Sequence, residues 1–400
     1  MNKKLWLVFL YVFVDVLGFS LILPLLPFYA QSFNASESVV GLLLATNAVT
    51  QMIGSPIIGR LSDRYGRKPL LLVCLAGTVV GFLLLGWANA LWMLFLSRII
   101  DGFLGGNISL AQAYISDVTD GKNRAKGLGL IGASFGLAFI FGPALGGTLS
   151  AGGRYELPAF LAAGLSAFNL IAVLIWLPES LPPEQRRLVA AGPRSEFSLR
   201  QLWEALHLPC VGPLLSVRLW YGLAFTMFET IFSLYAAKRL ALDAQATSYV
   251  LTYVGILVVL VQAGGIGQLI KRFSDKQLVF GASILLALSL LAWGLTPNLT
   301  VLLIVLAPLA LSSGVVNVVS NSALTKSVYP EQVGGALGLS ASLSSLARII
   351  SPIVAGFLMQ KIGPFAPGVL GALIMGGVVW LVWQRILFVP DMSCPAPANI

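Results

Sequence analysis

Twelve apolar runs divide this chain from end to end, near residues 5–30, 38–58, 69–89, 92–115, 127–150 and 158–177, then 210–236, 246–269, 277–294, 299–325, 334–359 and 364–388. A helix needs about 20 apolar residues to cross a hydrocarbon core, and the runs match that length. Hydrophobic residues fill 57% of the 400 positions and charged residues only 10%, against about 25% charged in an average soluble domain. A water-soluble fold is excluded, and the short connections leave no stretch for a soluble catalytic domain. The expected fold is an all-α polytopic membrane protein with twelve transmembrane helices.

The first run follows Met1-Asn2-Lys3-Lys4, as in a secretory signal. It is longer than the roughly 7–15 apolar residues of a signal core and carries Asp15, Pro24 and Pro27, so it reads as a retained span. With the N-terminus inside, Lys3, Lys4, Arg60, Arg64, Arg67, Lys68, Lys122, Arg124, Lys126, Arg186, Arg187, Arg194, Arg200, Lys271, Arg272, Lys276, Lys326 and Arg385 all fall on the cytoplasmic side. The opposite side keeps Arg154, Lys238, Arg239 and Lys361. This asymmetry sets the orientation, with both termini cytoplasmic in a cell membrane, and it accounts for the net charge of +9 without a nucleic-acid partner. Cys74, Cys210 and Cys394 lack metal-ligand spacing, and His207, the single histidine, reads as a solvated linker residue. No metal, cofactor or enzyme chemistry is expected, and the chain is taken as a monomer in the bilayer.

The longest polar stretch, Pro178 to His207, separates the sixth run from the seventh. It divides the chain into a six-helix half at 1–178, a cytoplasmic linker at 179–208 and a second half at 209–400. A repeat supports the division. Gly127-Leu128-Gly129-Leu130 recurs as Ala336-Leu337-Gly338-Leu339, and Gly142-Pro143-Ala144-Leu145-Gly146 recurs at the same offset as Ser351-Pro352-Ile353-Val354-Ala355. Gly59-Arg60-Leu61 recurs more weakly as Gly267-Gln268-Leu269, one residue out of step. An even number of spans per half makes the repeats parallel.

Between the second and third runs the chain reads Gly59-Arg60-Leu61-Ser62-Asp63-Arg64-Tyr65-Gly66-Arg67-Lys68-Pro69. Glycines permit a tight turn, and Asp63 can hold arginines or a helix end through charge-assisted hydrogen bonds. The stretch resembles, at every defined position, the loop signature of the major facilitator superfamily. That resemblance implies a fold of two six-helix halves related by an axis along the membrane normal, the arrangement already known for this transporter fold. It also implies a conformational latch made by Gly59, Asp63, Arg64, Gly66, Arg67, Lys68 and Asp117. The counterpart loop is degraded: Lys271 stands at the Asp63 position and Ser274 at the Gly66 position, so the two latches are expected to be unequal.

Further motifs narrow the resemblance to twelve-span drug:proton antiporters, especially bacterial tetracycline efflux proteins. The first span holds Asp15-Val16-Leu17-Gly18 and the Pro24, Pro27 pair; the fifth holds Gly142-Pro143-Ala144-Leu145-Gly146-Gly147, with Ala138 in place of one family glycine. Small residues allow close helix packing and Pro143 allows bending. The family places an arginine at Arg98, whereas Asp101, three residues on and on the same helix face, departs from its pattern. Protonating that carboxylate would free an arginine that stays charged.

Asp15, Asp101 and Glu229 are the candidate proton-coupling groups, the proton being the coupling ion. Arg98, Asn107, Gln112, Tyr221, Phe225, Phe228, Phe232 and Arg348 are candidate cavity residues, while Arg218, near the cytoplasmic end of its span, is expected to snorkel. The resemblance implies proton-coupled efflux of small amphipathic compounds by alternating access. A proton-coupled or facilitative carrier of a metabolite, sugar or lipid is the alternative, with a non-transporting sensor behind it. Tetracycline itself is doubtful, because the third and ninth spans lack the acids those pumps carry there. The three membrane acids are also matched in number by Arg98, Arg218 and Arg348, so a purely cationic substrate is not implied.

Overall fold

A computed structural model describes residues 3–119, 121–182, 184, 186, 206, 211–329 and 333–387. Most of the linker, with His207, Cys210 and Cys394, lies outside the described residues. Every regular element described is helical. The first eight helices are α1 (Lys3–Ile22), α2 (Leu26–Ser32), α3 (Glu37–Tyr65), α4 (Arg67–Gly86), α5 (Leu91–Phe103), α6 (Asn107–Val118), α7 (Gly121–Leu149) and α8 (Glu156–Trp176). Then come α9 (Val211–Leu240), α10 (Ala244–Leu260), α11 (Ile266–Arg272), α12 (Asp275–Gly294), α13 (Leu299–Lys326), α14 (Val333–Lys361) and α15 (Ala366–Val382). Among the described residues, eleven helical stretches are long and apolar enough to cross a membrane. The shorter α10 runs through a π-helical turn, Val261–Gly265, into α11 and completes a twelfth crossing.

Three sequence expectations are corrected. The 5–30 run is two helices, because Pro24 and Pro27 cannot continue the hydrogen-bond ladder past Ile22. The 92–115 run breaks at Leu104 to Gly106, where Gly105 and Gly106 loosen the chain between α5 and α6. The 59–69 loop is almost absent: α3 continues to Tyr65, and Gly66 alone, at φ +108°, makes the turn into α4. Gly59 lies inside α3 with open space where a Cβ would stand, so it is needed for neither turning nor close approach.

The chain forms two compact units, Met1–Arg194 with Ala241–Ile256, and Ser195–Leu240 with Leu257–Ile400. In the first, α1 packs on α7 and α8, and α4 packs on α5 and α8. The second repeats this plan: α9 packs on α14 and α15, and α12 on α13 and α15. The α1–α7 contact is made by small residues. A Cβ at Gly142 would lie 2.0 Å from Ser20 Oγ and one at Gly146 2.4 Å from the Leu21 carbonyl oxygen, while Ser20 Oγ donates to the Ala138 carbonyl at 2.8 Å. Its counterpart in the second unit uses Ser351, at the Gly142 position of the repeat, whose hydroxyl donates to the Leu223 carbonyl at 2.9 Å. Gly147 faces Ser248 within the first unit, where a Cβ would come within 2.6 Å of the serine Cβ.

Candidate functional site

In the first unit the close approach of α3, α4 and α5 assembles a buried polar group inside otherwise apolar helices. Gly54 and Gly102 have no room for a Cβ against the backbone of the facing helix, at 1.9 Å from the Phe103 carbonyl oxygen and 2.5 Å from the Asn47 carbonyl oxygen. With the backbones this close, Asn47 Nδ2 donates to Asp101 Oδ2 at 3.2 Å. Arg98, almost fully buried, donates from Nη1 to the same oxygen at 3.3 Å, and its other terminal nitrogen, Nη2, is buried without an acceptor among the described residues. The Phe82 ring lies 5.7 Å from the guanidinium carbon.

Asp15, on α1, joins this group from the opposite side. The break before α6 puts Asn107 at the helix start, where its Nδ2 donates to Asp15 Oδ1 at 2.8 Å and lies 3.5 Å from Thr78 Oγ1. Asn107 Oδ1 has no partner among the described residues, and its carbonyl accepts from the Tyr11 hydroxyl at 3.2 Å. Thr78 lies in turn beside Asp101 and so links the Asp15–Asn107 pair to the Arg98–Asp101 pair; the two carboxylates and one guanidinium carry one excess negative charge when all are ionised. Sequence reasoning named Asp15 and Asp101 as proton-coupling candidates and Arg98 and Asn107 as cavity candidates, joined only Arg98 to Asp101, and missed Asn47 and Thr78. Their signal was available: a polar side chain within an apolar span requires a partner. Gln112 stands on the exposed face of α6, away from the cluster.

The second unit distributes its charges differently. Arg218 does not snorkel: Nη1 donates to Asn317 Oδ1 on α13, and the guanidinium carbon stands 5.9 Å from the centre of the Tyr221 ring. The Tyr221 hydroxyl donates to the Ser313 carbonyl at 3.1 Å, and its ring stacks on Phe225 at 5.7 Å. Phe228 and Phe232 are buried, with Phe228 edge-on to Trp293 at 5.0 Å, so these two belong to the core rather than to a cavity wall. Glu229 and Arg348 form no ion pair within 4.0 Å among the described residues.

The α3–α4 turn is held by Arg67, which is buried. Its Nη1 donates to Asp63 Oδ1 at 2.5 Å and Ser62 Oγ at 2.6 Å, and its Nε donates to Asp117 Oδ2 at 3.2 Å. Glu179, which the sequence reading assigned to the linker, caps the start of α4: its carboxylate accepts from the backbone nitrogens of Arg67 at 2.9 Å and Lys68 at 3.3 Å. Arg186 pairs with Glu179 at 3.5 Å, and Ser180 Oγ donates to Asp117 at 2.9 Å. Lys68 Nζ donates to the Leu174 carbonyl at 2.8 Å. Arg64 is exposed and lies against Tyr65, outside this cluster.

Among known proteins, the sequence profile of the Major Facilitator Superfamily matches residues 8–266 and 214–393. The chain is 30% identical to the class C tetracycline resistance protein of Escherichia coli, over 97% of this chain and 95% of that protein. It is 31% identical to the class H tetracycline resistance protein of Pasteurella multocida, over 95% and 94%. With solute carrier family 22 member 18 of Rattus norvegicus it shares 29% identity over 91% and 89%. The solved structure of the human organic anion transporter MFSD10 superposes with a TM-score of 0.69 at 24% identity, covering 96% of this chain and all of that one. A POT family transporter in complex with 5-aminolevulinic acid superposes at 0.78 with 13% identity, over 96% of each chain. Such relatives are transporters and not enzymes. A multi-pass helical architecture, a repeated six-helix plan and a full-length family match together place this chain, as a membrane transporter, in the Major Facilitator Superfamily.

Proposed function

We propose that the chain exports small amphipathic compounds across a cell membrane in exchange for protons, with the first unit holding the proton. The observation that carries this reading is the sharing of Asp101 Oδ2 by Arg98 and Asn47, beside an unsatisfied Arg98 Nη2. Arginine keeps its charge throughout, so Asp101 is the partner that can change state. With Asp101 ionised, the guanidinium is held across α5 and toward α3. Adding a proton removes one side of the ion pair, and a buried arginine left without its counter-ion favours a different packing of these helices. Asp15 connects through Asn107 and Thr78, so both acids respond to one incoming proton. A single proton cancels the excess negative charge of the cluster, which favours one proton per cycle through this unit.

Efflux homologues at about 30% identity, including multidrug resistance protein 2 of Bacillus subtilis at 28%, support the export direction. The positive-inside asymmetry supports cytoplasmic termini. Reconstitution in vesicles with an imposed pH gradient and a panel of amphipathic fluorescent compounds tests the proposal. Gradient-driven accumulation is expected in the wild type and is expected to vanish in Asp101→Asn, while downhill exchange of the same compound persists. Equal flux with and without the gradient would replace exchange by facilitated transport.

A further inference from the structure

The second unit carries a set of charges that proton exchange leaves unused. Arg218 is the eighth residue of α9 and reaches across to α13, yet its Nε is buried without an acceptor among the described residues. Arg348 stands sixteenth of the 29 residues of α14, and is exposed there. The two helices lie face to face around these arginines: a Cβ on Gly222 would meet Ala347 Cβ at 3.2 Å, and the Ser351 hydroxyl bonds the Leu223 carbonyl at 2.9 Å. Arg348 directly follows Ala347 and lies three residues before Ser351, the two α14 residues that touch α9, so it stands beside α9.

An unpaired guanidinium at mid-membrane depth is costly against lipid tails and stable only where it meets water or an anion. Glu229, the acid of α9, is eleven residues beyond Arg218, which is about 16 Å along the helix axis. It cannot answer both arginines. Arg218, Arg348 and Glu229 together thus carry one excess positive charge, the reverse of the Asp15, Arg98 and Asp101 set, and present two guanidiniums that bind carboxylate or sulfonate oxygens in a planar, directional way. Tyr221, fixed by Ser313 and stacked on Phe225, provides an aromatic surface next to Arg218.

We propose that Arg218 and Arg348 receive the acidic head of an amphipathic organic anion, a carboxylate or sulfonate, while Tyr221 and Phe225 contact its aromatic body. This rests on the chain being a transporter of small amphipathic compounds, but not on proton exchange. Asn317 positions Arg218 and is not itself placed against the ligand.

The test is equilibrium binding by calorimetry to the full-length, detergent-purified protein at neutral pH. Three probes of one shape differ only in charge: 2-naphthoate, 2-naphthamide and 2-naphthylmethylammonium. Naphthoate is expected to bind at least about tenfold more tightly than naphthamide, with the ammonium weakest, since a hydrogen bond to a charged group contributes about this much. Arg348→Gln and Arg218→Gln should each remove about tenfold in naphthoate affinity and leave naphthamide unchanged, and Arg218→Lys should recover part of it. Arg348 is exposed and makes no hydrogen bond among the described residues, so Arg348→Gln keeps the test open if Arg218→Gln fails to fold. Equal binding of naphthoate and naphthamide, preference for the ammonium, no binding of any probe, or naphthoate affinity unchanged in Arg348→Gln would each overturn the proposal. No gradient is present, so loss of coupling in Asp101→Asn with intact naphthoate binding separates the two readings.

Discussion

The α3–α4 turn and the α11–α12 turn occupy equivalent places in the repeat and are tied down in opposite ways. Arg67 lies eight residues after Gly59, and Asp275 eight after Gly267; Asp117 lies ten residues before Gly127, and Lys326 ten before Ala336. The ion pair Arg67 to Asp117, 3.2 Å, therefore corresponds to Asp275 to Lys326, 2.6 Å, with the charges exchanged. Around that reversed pair everything else differs. In the first unit Arg67 is buried and also binds Asp63 and Ser62, while the helix it opens is capped by Glu179, 112 residues away in sequence. In the second, α12 is capped locally by Ser274 and Gln277, and Lys326 remains 65% exposed. One turn couples α3, α4, α6 and the segment after α8; the other is capped locally and tied to the end of α13 by Lys326. Symmetry of the scaffold thus survives where charge and coupling do not.

Exchanging the charges breaks the comparison most severely. Arg67→Asp combined with Asp117→Lys keeps a formal pair, but sets a new carboxylate against Asp63 and Glu179; unfolding stability should fall by about 3–5 kcal/mol, as for a broken buried pair. Asp275→Lys combined with Lys326→Asp alters a pair whose lysine is 65% exposed and should cost below about 1 kcal/mol. Thermal and chemical unfolding in detergent measures both, and equal costs would abolish the distinction.

Gly66→Ala comes next. Its φ of +108° is unfavourable for any side chain, and the new Cβ would stand 2.3 Å from Glu179 Oε2. Backbone strain alone costs about 1–3 kcal/mol, and the displaced carboxylate uncaps α4. Ser274→Ala, at the matching place with extended backbone, should cost only about 1 kcal/mol for its cap. The smallest effect sharpens the contrast. Glu179→Gln keeps an acceptor for the Arg67 nitrogen but loses the charge facing Arg186 and the helix start, at about 0.5–1 kcal/mol. Its signature should be faster proteolysis after Leu181 rather than a large shift in melting temperature.

Much of the site was legible because the membrane makes polar residues conspicuous. Asp15, Arg98 and Asp101 stand out within apolar runs, where each must find a partner. Asn47 and Thr78 carried the same signal more weakly, being uncharged, and their partners lie on other helices, where no local spacing points to them. Arg218 was misread for a related reason: distance to a helix end suggested snorkelling, and only the packing of α13 on α9 brought Asn317 within reach. Glu179 was invisible because a cap supplied from 112 residues away has no local pattern.

Hydropathy by itself determined the multi-pass helical fold, because the bilayer penalises every unpaired polar group along the chain. The tertiary structure alone decided which of those polar groups meet. It gathered two acids with one arginine in the first unit and joined Arg218 to Asn317 in the second, and it closed one turn through Glu179 while leaving the cap of its repeat to local residues. Side-chain partnership depends on which helices approach closely enough, and that is set by glycines and small residues at contacts between distant segments.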